Sequence, residues 1–407
     1  MSIFIRRRGI EEFLEATGRR LLYGRRKTGK TFYTRRTLGD YDYFIVRRGG
    51  IFYDPENQTE YAAKEFIQLC RRTDKIIIDE FHRAPPILFD TIQAGSCPPD
   101  IVLVTSTLHY HRKYTATPNA PLKGLFLTYK AGLISPLDLV FHQWPSLTND
   151  LLERLVFYQE PVLVGRSLRE IMLCSVDIAR SLAGEVLAEE DYEATLRYHH
   201  LLEGLSMGKT RISELSSYLY SRGLIPGRSP SYITKYIDAM LKIGLIEKIP
   251  VWGKRKSIYR HVSPLTHTAY YLNAKYGVWD IPVGEDFLYN TGRTIIPNLV
   301  EVFVERLLSH DCGLRPVKIL QPEIDIALTR HREPWLIAEV KWRDNIEREE
   351  LRKTIDKLAN VKSAVKLMIT KEQHDYKTII PILTLRELVE RIKERSGCSW
   401  VNELSIH

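Results

Sequence analysis

The stretch Gly24-Arg25-Arg26-Lys27-Thr28-Gly29-Lys30-Thr31 has the spacing G-x-x-x-x-G-K-[ST], and no other feature of the 407 residues restricts the fold as much. Such a stretch works only between a strand and a helix. Its glycines let the backbone turn so that consecutive N–H groups point inward, at a helix N-terminus where a polyphosphate is favoured. Here the apolar run Leu21-Leu22-Tyr23 leads in, and a helical-looking stretch from Lys30 to Leu38 leads out. Gly24, Lys27, Thr28 and Gly29 are then the expected cradle. Lys30 would reach the β/γ-phosphates, and the Thr31 hydroxyl would sit on Mg²⁺. The ligand this pattern predicts is ATP with its magnesium.

A second element agrees. Lys75-Ile76-Ile77-Ile78-Asp79-Glu80 is a short β-branched run closed by two acids, which reads as a buried parallel strand. Carboxylates at a strand's C-terminal end stand on the ligand side of an open α/β sheet. Asp79 would hold Mg²⁺ through its water shell, and Glu80 would polarise the attacking water. Further strands are predicted at Arg20–Tyr23, Tyr43–Val46, Ile101–Ser106 and Leu125–Tyr129, with helical stretches such as Glu60–Arg71 between them. Alternation of this kind implies a mostly parallel sheet with helices on both faces.

Charge points to a second class of partner. The chain has 59 Lys and Arg against 50 Asp and Glu, a net +9. Residues 1–36 hold eleven cations and three acids, and residues 207–260 hold eleven and three again, which leaves the rest of the chain acidic by seven. Two blocks of about +8 each suit a polyanion. The first block either makes a contact of its own or mostly serves the nucleotide. A length of 407 residues implies two to four domains. No apolar run approaches a membrane span, and Met1-Ser2-Ile3-Phe4-Ile5-Arg6-Arg7-Arg8 lacks the apolar segment of a secretory signal, so no membrane partner and a cytoplasmic location are expected. Five cysteines stand singly at Cys70, Cys97, Cys174, Cys312 and Cys398, which argues against a structural zinc site and against a disulfide framework.

Beyond Ser135 the pattern turns helical as far as about Leu205, with amphipathic runs at Asn149–Tyr158 and Leu168–Leu182. A helical lid on the nucleotide site fits this stretch, and so does an unrelated spacer. Residues 198–262 then give a helix ending at Leu205, a second at Ile212–Leu219 and a third at Pro230–Ile243, followed by a hairpin that turns at Gly253-Lys254. That order is a winged helix-turn-helix. In its third helix Ile233, Ile237, Met240 and Leu241 form the core stripe, while Ser231, Thr234, Lys235 and Asp238 take the other face, where a recognition helix meets a major groove. Lys254, Arg255 and Lys256 at the hairpin tip suit phosphates. The same module also serves for contacts between proteins; the charge tips the reading toward DNA.

A linker-like stretch, His261 to Arg293, precedes a helix at Ile295–Leu308 that carries Glu301 and Glu305. Strands follow near Glu323–Leu328 and Trp335–Trp342. Ile324, Ile326 and Leu328 share one face of the first, leaving Asp325 on the other, and Glu339 and Lys341 share a face of the second. Asp325, Glu339 and Lys341 can therefore converge on one side of a hairpin. Asp…Glu-x-Lys is the metal-and-base set of PD-(D/E)xK nucleases, in which two carboxylates hold Mg²⁺ and the lysine positions or activates the attacking water. An exposed hairpin face with alternating charges gives the same pattern.

With the four parts in this order, the chain resembles a family of archaeal AAA+-like ATPases related to the STAND group. The residues that carry the resemblance are Gly24 to Thr31, Ile76-Ile77-Ile78-Asp79-Glu80-Phe81, Gly244-Leu245-Ile246-Glu247 with the Gly253-Lys254-Arg255 turn, Glu301 in Val300-Glu301-Val302-Phe303-Val304, and Glu323-Ile324-Asp325-Ile326 with Ala338-Glu339-Val340-Lys341. The resemblance implies an α/β fold: a P-loop NTPase parallel sheet at 1–134, a helical lid at 135–197, a winged helix-turn-helix at 198–264 and a restriction-endonuclease-like domain at 290–407. It implies nucleotide binding by Gly24, Gly29, Lys30 and Thr31, hydrolysis through Asp79 and Glu80, and a nuclease-like set of Glu301, Asp325, Glu339 and Lys341. In ATPases of this type a polar residue after the strand at Ile101 senses the γ-phosphate or orients water, which makes Ser106 or Thr105 the candidate unless it is a plain turn residue. Three positions depart from the pattern. The lead-in before Gly24 is short, Leu125 follows Ala120-Pro121-Leu122-Lys123-Gly124 where an arginine is expected, and His82 stands where Gln or Arg is usual. Two functions follow. One is an ATPase whose nucleotide state controls a DNA-bound winged helix and a metal-dependent nuclease, with oligomerisation open. The other is a nucleotide-driven switch or DNA-binding regulator whose last domain only binds.

Overall fold

Ile76, Ile77 and Ile78 are all fully buried, and a strand apolar on both faces has to lie within a sheet covered on both sides. The computed structural model, which describes residues 3–105, 124–187, 192–374 and 378–405, places that strand at the heart of a seven-stranded sheet. The chain divides into two compact units, and this sheet belongs to the one formed by Arg6–Leu133 with Lys242–Gly244. Its elements are α1 (Arg8–Glu15), β1 (Arg20–Tyr23), α2 (Lys30–Thr37), β2 (Asp42–Val46), β3 (Phe52–Asp54), β4 (Thr59–Tyr61), α3 (Ala63–Cys70), β5 (Lys75–Asp79), α4 (Pro86–Gln93), β6 (Asp100–Thr105) and β7 (Leu127–Lys130).

The strand order is β4-β3-β2-β5-β6-β1-β7. Strands β2, β5, β6, β1 and β7 run parallel, and β3 and β4 add an antiparallel edge. On one face Ile76, Ile78 and Leu103 meet Phe66 of α3 and Leu88 of α4, and alternation sends Leu22, Ile77 and Val102 to the other. Because β6 lies between β1 and β5, the C-terminal ends of all three open on one edge of the sheet.

Two details differ from the sequence reading. The β3–β4 hairpin replaces the start of the helix predicted from Glu60, because the Asp54 carboxylate accepts the N–H groups of Glu56 (2.9 Å) and Asn57 (3.1 Å) and closes a turn there. The last strand begins at Leu127 rather than Leu125. Ser106 and the segment Ala120–Lys123 lie outside the described residues.

The remaining elements, all but the end of α10, form the second unit: α5 (Pro136–Phe141), α6 (Asn149–Tyr158), α7 (Leu168–Leu187), α8 (Tyr192–Ser206), α9 (Ile212–Ser221), α10 (Thr234–Ile243), β8 (Ile246–Pro250), β9 (Ser257–His261), α11 (Pro264–Tyr276), α12 (Glu285–Arg293), α13 (Ile296–Cys312), β10 (Arg315–Leu320), β11 (Glu323–Arg330), β12 (Glu333–Lys341), α14 (Arg348–Ala359), β13 (Val365–Thr370), β14 (Ile382–Thr384) and α15 (Leu385–Glu394). Ser135, Thr148, Ser263 and Thr384 each open a helix by accepting an N–H of its first turn. A five-stranded sheet, β10-β11-β12-β13-β14, is antiparallel through β12 and parallel from there on. One apolar core joins Leu152 of α6 and Met172 of α7 to Leu265 of α11, Phe303 of α13, Ala338 of β12 and Leu388 of α15. The helices expected as a lid or a spacer thus share their core with the C-terminal sheet.

The stretch expected as a linker is folded. Ser263-Pro264 starts α11 and Gly277, at φ 64°, ends it, and Leu265, Ala269, Tyr270 and Leu272 are buried. Those start and stop residues were the signal in the sequence. Cys312 and Cys398 form a disulfide although their spacing gives no hint of it. The Asp311 carboxylate brings them together, accepting the N–H groups of Gly397 (2.8 Å) and Cys398 (3.1 Å) and the indole N–H of Trp400 (2.8 Å). Among the described residues no helix is long and apolar enough to cross a membrane.

Candidate functional site

The loop between β1 and α2 can only be built with glycine at its hinge. Gly24 has φ 151°, and a Cβ there would stand 2.2 Å from the Ala131 carbonyl oxygen. Gly29 (φ 83°) and Lys27 (φ 60°) also take left-handed backbone, which turns the loop into the start of α2. The buried Thr28 hydroxyl donates to the Arg25 carbonyl (2.9 Å). Arg7, from the basic N-terminal block, braces the loop, donating to the carbonyls of Thr28 (2.7 Å), Gly132 (2.9 Å) and Leu133 (3.1 Å). At 4% exposure it serves the loop's shape, a role that a count of charges does not reveal.

Thr31 meets Asp79, while Lys30 bonds to its own loop. The Lys30 ammonium lies over the loop and donates to the carbonyls of Gly24 (3.0 Å) and Arg25 (2.7 Å). Burial lowers its pKa to about 8, against the pull of Asp79 and Glu80. Asp79 is 3% exposed and accepts from the Thr31 hydroxyl (2.6 Å), the Tyr43 hydroxyl (2.9 Å) and the Glu80 N–H (2.7 Å). Burial raises the Asp79 pKa despite these bonds. All three donors are neutral, so a divalent cation fits as countercharge beside Thr31 and Asp79. Tyr43 went unrecognised in the sequence because it reads as one more aromatic strand residue.

Glu80 takes φ 54° at the strand end, and its carboxylate lies 3.5 Å from His82 Nε2 and 3.4 Å from Arg83. His82 Nδ1 is 3.3 Å from the hydroxyl of Thr105, at the end of β6. Burial, and then Arg83, push His82 to about 4, so the ring is neutral near pH 7. Glu80, His82 and Thr105 therefore form a polar chain across the edge where the phosphate loop ends. Of the two candidates for the residue after the strand, Thr105 stands in that chain.

A second constellation lies in the other unit. The β11–β12 register runs from Arg330–Glu333 to Ile326–Ala338. Past it, carboxylates take the backbone groups: Glu339 Oε1 accepts the Asp325 N–H (3.2 Å), and Asp325 Oδ2 accepts the Val340 N–H (3.0 Å). Lys341 Nζ is 3.3 Å from Glu339 Oε2 and 4.0 Å from Asp325 Oδ2. Asp325, Glu339 and Lys341 thus converge, though not by the expected alternation. Ile326 and Leu328 pack in one core and Ile324 packs with Ala327 and Ile337 in another, because β11 holds one extra residue opposite β10 there. Burial and then Asp325 raise Glu339, and burial with the same neighbour pushes Glu301 on α13 to about 8. Carboxylates gathered in this way make a donor set that suits a divalent cation. Lys357 of α14, which no spacing rule points to, lies 2.6 Å from Glu339 Oε2. Lys235 on α10 and Lys254, Arg255 and Lys256 at the β8–β9 turn are all exposed.

No family model matches the sequence, and no curated protein does. Several solved structures are similar at low identity. The Walker-type ATPase PABY2304 of Pyrococcus abyssi shares 16% identity over 65% of this chain and 93% of its own, with a TM-score of 0.45. The ORC2 protein of Aeropyrum pernix in its ADPNP–ADP complexes shares 13% over 70% and 89%, at 0.35. A STAND protein of Pyrococcus horikoshii with a tetratricopeptide-repeat sensor shares 15% over 75% of this chain and 51% of its own, at 0.28. At such identities and scores, what the chain does has to be read from its side chains.

Proposed function

We propose that the chain binds and hydrolyses ATP at the Lys30–Asp79 site, and that its second unit acts on DNA through the Asp325–Glu339–Lys341 face. The observation that carries the first part is the pairing of Thr31 with Asp79 beside a buried Lys30 that satisfies itself on loop carbonyls. Phosphate oxygens offer Lys30 a charged acceptor in their place, and the loop N–H groups take the rest. Magnesium, held by Thr31 and Asp79, would neutralise charge on the phosphates. Glu80 orients the attacking water, with its carboxylate steadied by neutral His82, and Thr105 relays the occupancy of the site to that pair.

In the second unit, Glu301, Asp325 and Glu339 would hold a divalent cation, and Lys341 positions the water. Support comes from the convergence of the three acids with one lysine and from exposed cations on α10 and on the β8–β9 turn. One observation favours a silent, binding-only site: Lys341 and Lys357 already contact the same oxygen of Glu339. The two readings part in one experiment. Labelled DNA is incubated with Mg²⁺ or Mn²⁺, with and without ATP, using wild type, Asp325→Ala and Lys30→Ala. Cleavage lost in Asp325→Ala establishes the nuclease, and DNA binding without cleavage establishes the regulator. ATP turnover by Lys30→Ala at the wild-type rate would sink the ATPase assignment.

A further inference from the structure

A cleft of about 720 Å³ lies within the second unit, between the β8–β9 hairpin and the face that carries Asp325. We propose that this cleft seats a single strand of nucleic acid, with its phosphates at Arg211 and Lys254 and its unpaired bases against Met207, Tyr271 and Leu320. For the bond that reacts, the proposal rests on the nuclease reading above; for binding it stands alone.

The hairpin is docked. Val251 bridges Lys318 of β10, and the Trp252 N–H donates to the Lys318 carbonyl (3.0 Å). Glu247 of β8 lies 2.6 Å from Arg306 of α13 and 2.8 Å from Arg260 of β9, and Arg260 also pairs with Glu305 of α13. Separating a buried pair of this kind is strongly disfavoured, because it strands a charge. A wing tied down in this way does not swing out to enter a groove by itself, and what binds its tip also borders the cleft.

The lining selects an unpaired strand. Glu301 and Asp325 face the cleft from α13 and β11, and Lys254 borders it from the hairpin. Arg211 holds Glu214 at 3.8 Å with its side chain 55% exposed, a surface pair that a phosphate readily displaces. Met207, Tyr271 and Leu320 also line the cleft. Apolar and aromatic side chains of this sort bind base faces, which a duplex keeps stacked inside itself. A cavity of this volume is also of the size that encloses small molecules, too small for a duplex. Lys235 on α10 does not line the cleft, so it separates this reading from one in which α10 enters a major groove.

The test measures anisotropy of labelled single-stranded DNA, its RNA counterpart and the blunt DNA duplex, with Ca²⁺ in place of Mg²⁺ to suspend cleavage. We expect one or both single strands to bind at least about tenfold tighter than the duplex, and Lys254→Glu or Arg211→Glu to weaken strand binding about tenfold. Lys235→Glu should cost clearly less, and Lys64→Glu, exposed on the other unit, nothing. A duplex bound as tightly as the strands, a loss from Lys235→Glu equal to that from Lys254→Glu, or no binding at all would overturn the proposal. Strand binding without Mg²⁺-dependent cleavage would keep the cleft and remove the nuclease. Duplex cleavage undiminished in Lys254→Glu would keep the nuclease and remove the cleft.

Discussion

Glu247→Gln tests how firmly the β8–β9 hairpin is held, because it keeps the shape of the side chain and removes the charge that Arg260 and Arg306 share. Burial alone would raise the Glu247 carboxyl, but Arg306 and Arg260 outweigh it and bring it from 4.5 to about 2. At about 1.4 kcal/mol per unit, a depression of this size contributes about 3 kcal/mol to folding. The side chain is 29% exposed, and solvent screening trims that to about 2–3 kcal/mol. The folded state holds this proton less tightly than the unfolded chain. The contribution is therefore complete above the unfolded pKa of about 4.5 and is lost as pH falls toward 2.

Urea unfolding followed by tryptophan fluorescence is a suitable assay, since Trp144, Trp252, Trp279, Trp335, Trp342 and Trp400 all lie in the second unit. At about pH 7 the variant should be less stable than wild type by about 2–3 kcal/mol, and at about pH 3 by roughly half as much. A gap of equal size at both values would show that packing rather than charge holds the hairpin. No gap at neutral pH would refute the docking.

Gly24→Ala should cost about 2–3 kcal/mol in thermal unfolding of the first unit and remove ATP binding, because the new methyl collides with the Ala131 carbonyl; an unchanged melting curve and ATP affinity would contradict the loop geometry. His82, held near 4, should add no inflection to ATP turnover between about pH 5.5 and pH 7.5. An inflection near pH 6.5 that disappears in His82→Gln would show that the ring titrates during turnover. Reduction of Cys312–Cys398, which closes a loop of 86 residues, should lower the stability of the second unit by about 4–5 kcal/mol on the chain-entropy argument. A tryptophan-monitored transition unmoved by dithiothreitol would argue that the bridge does not form.

What the sequence showed was local. The two-residue step from Glu339 to Lys341 put both on one side. The alternation expected of Ile324, Ile326 and Leu328 fails at an extra residue in β11, so the approach of Asp325 depends on that irregularity as well as on the register of the hairpin. The phosphate loop was legible as well, since its glycines answer to backbone angles a few residues apart. Contacts between distant segments left no such trace. Lys357 reaches Glu339 only because α14 crosses back over the sheet, and Cys312 meets Cys398 only because Asp311 gathers the N–H groups of a turn more than eighty residues away. His82 looked like a departure without consequence until β6 placed Thr105 beside it.

Net charge shows the same limit from the other side. The first basic block counts Arg7 and Arg20 among its eleven cations, yet both are buried, Arg7 on loop carbonyls and Arg20 on Asp100 and the Tyr41 hydroxyl. In the second block Arg260 and Glu247 face inward, against α13. What remains exposed there includes Lys235 and the Lys254-Arg255-Lys256 tip. A hint was present: Glu247 and Arg260 pair directly across β8 and β9, opposite charges on strands where a free wing needs none. Such a pair becomes worth burying when a third and a fourth charge complete it, and Arg306 and Glu305 supply them. Glu247 and Arg260, counted in the second block, therefore fasten the hairpin to the domain with the carboxylates, while the tip cations that suggested a DNA-binding wing stay exposed.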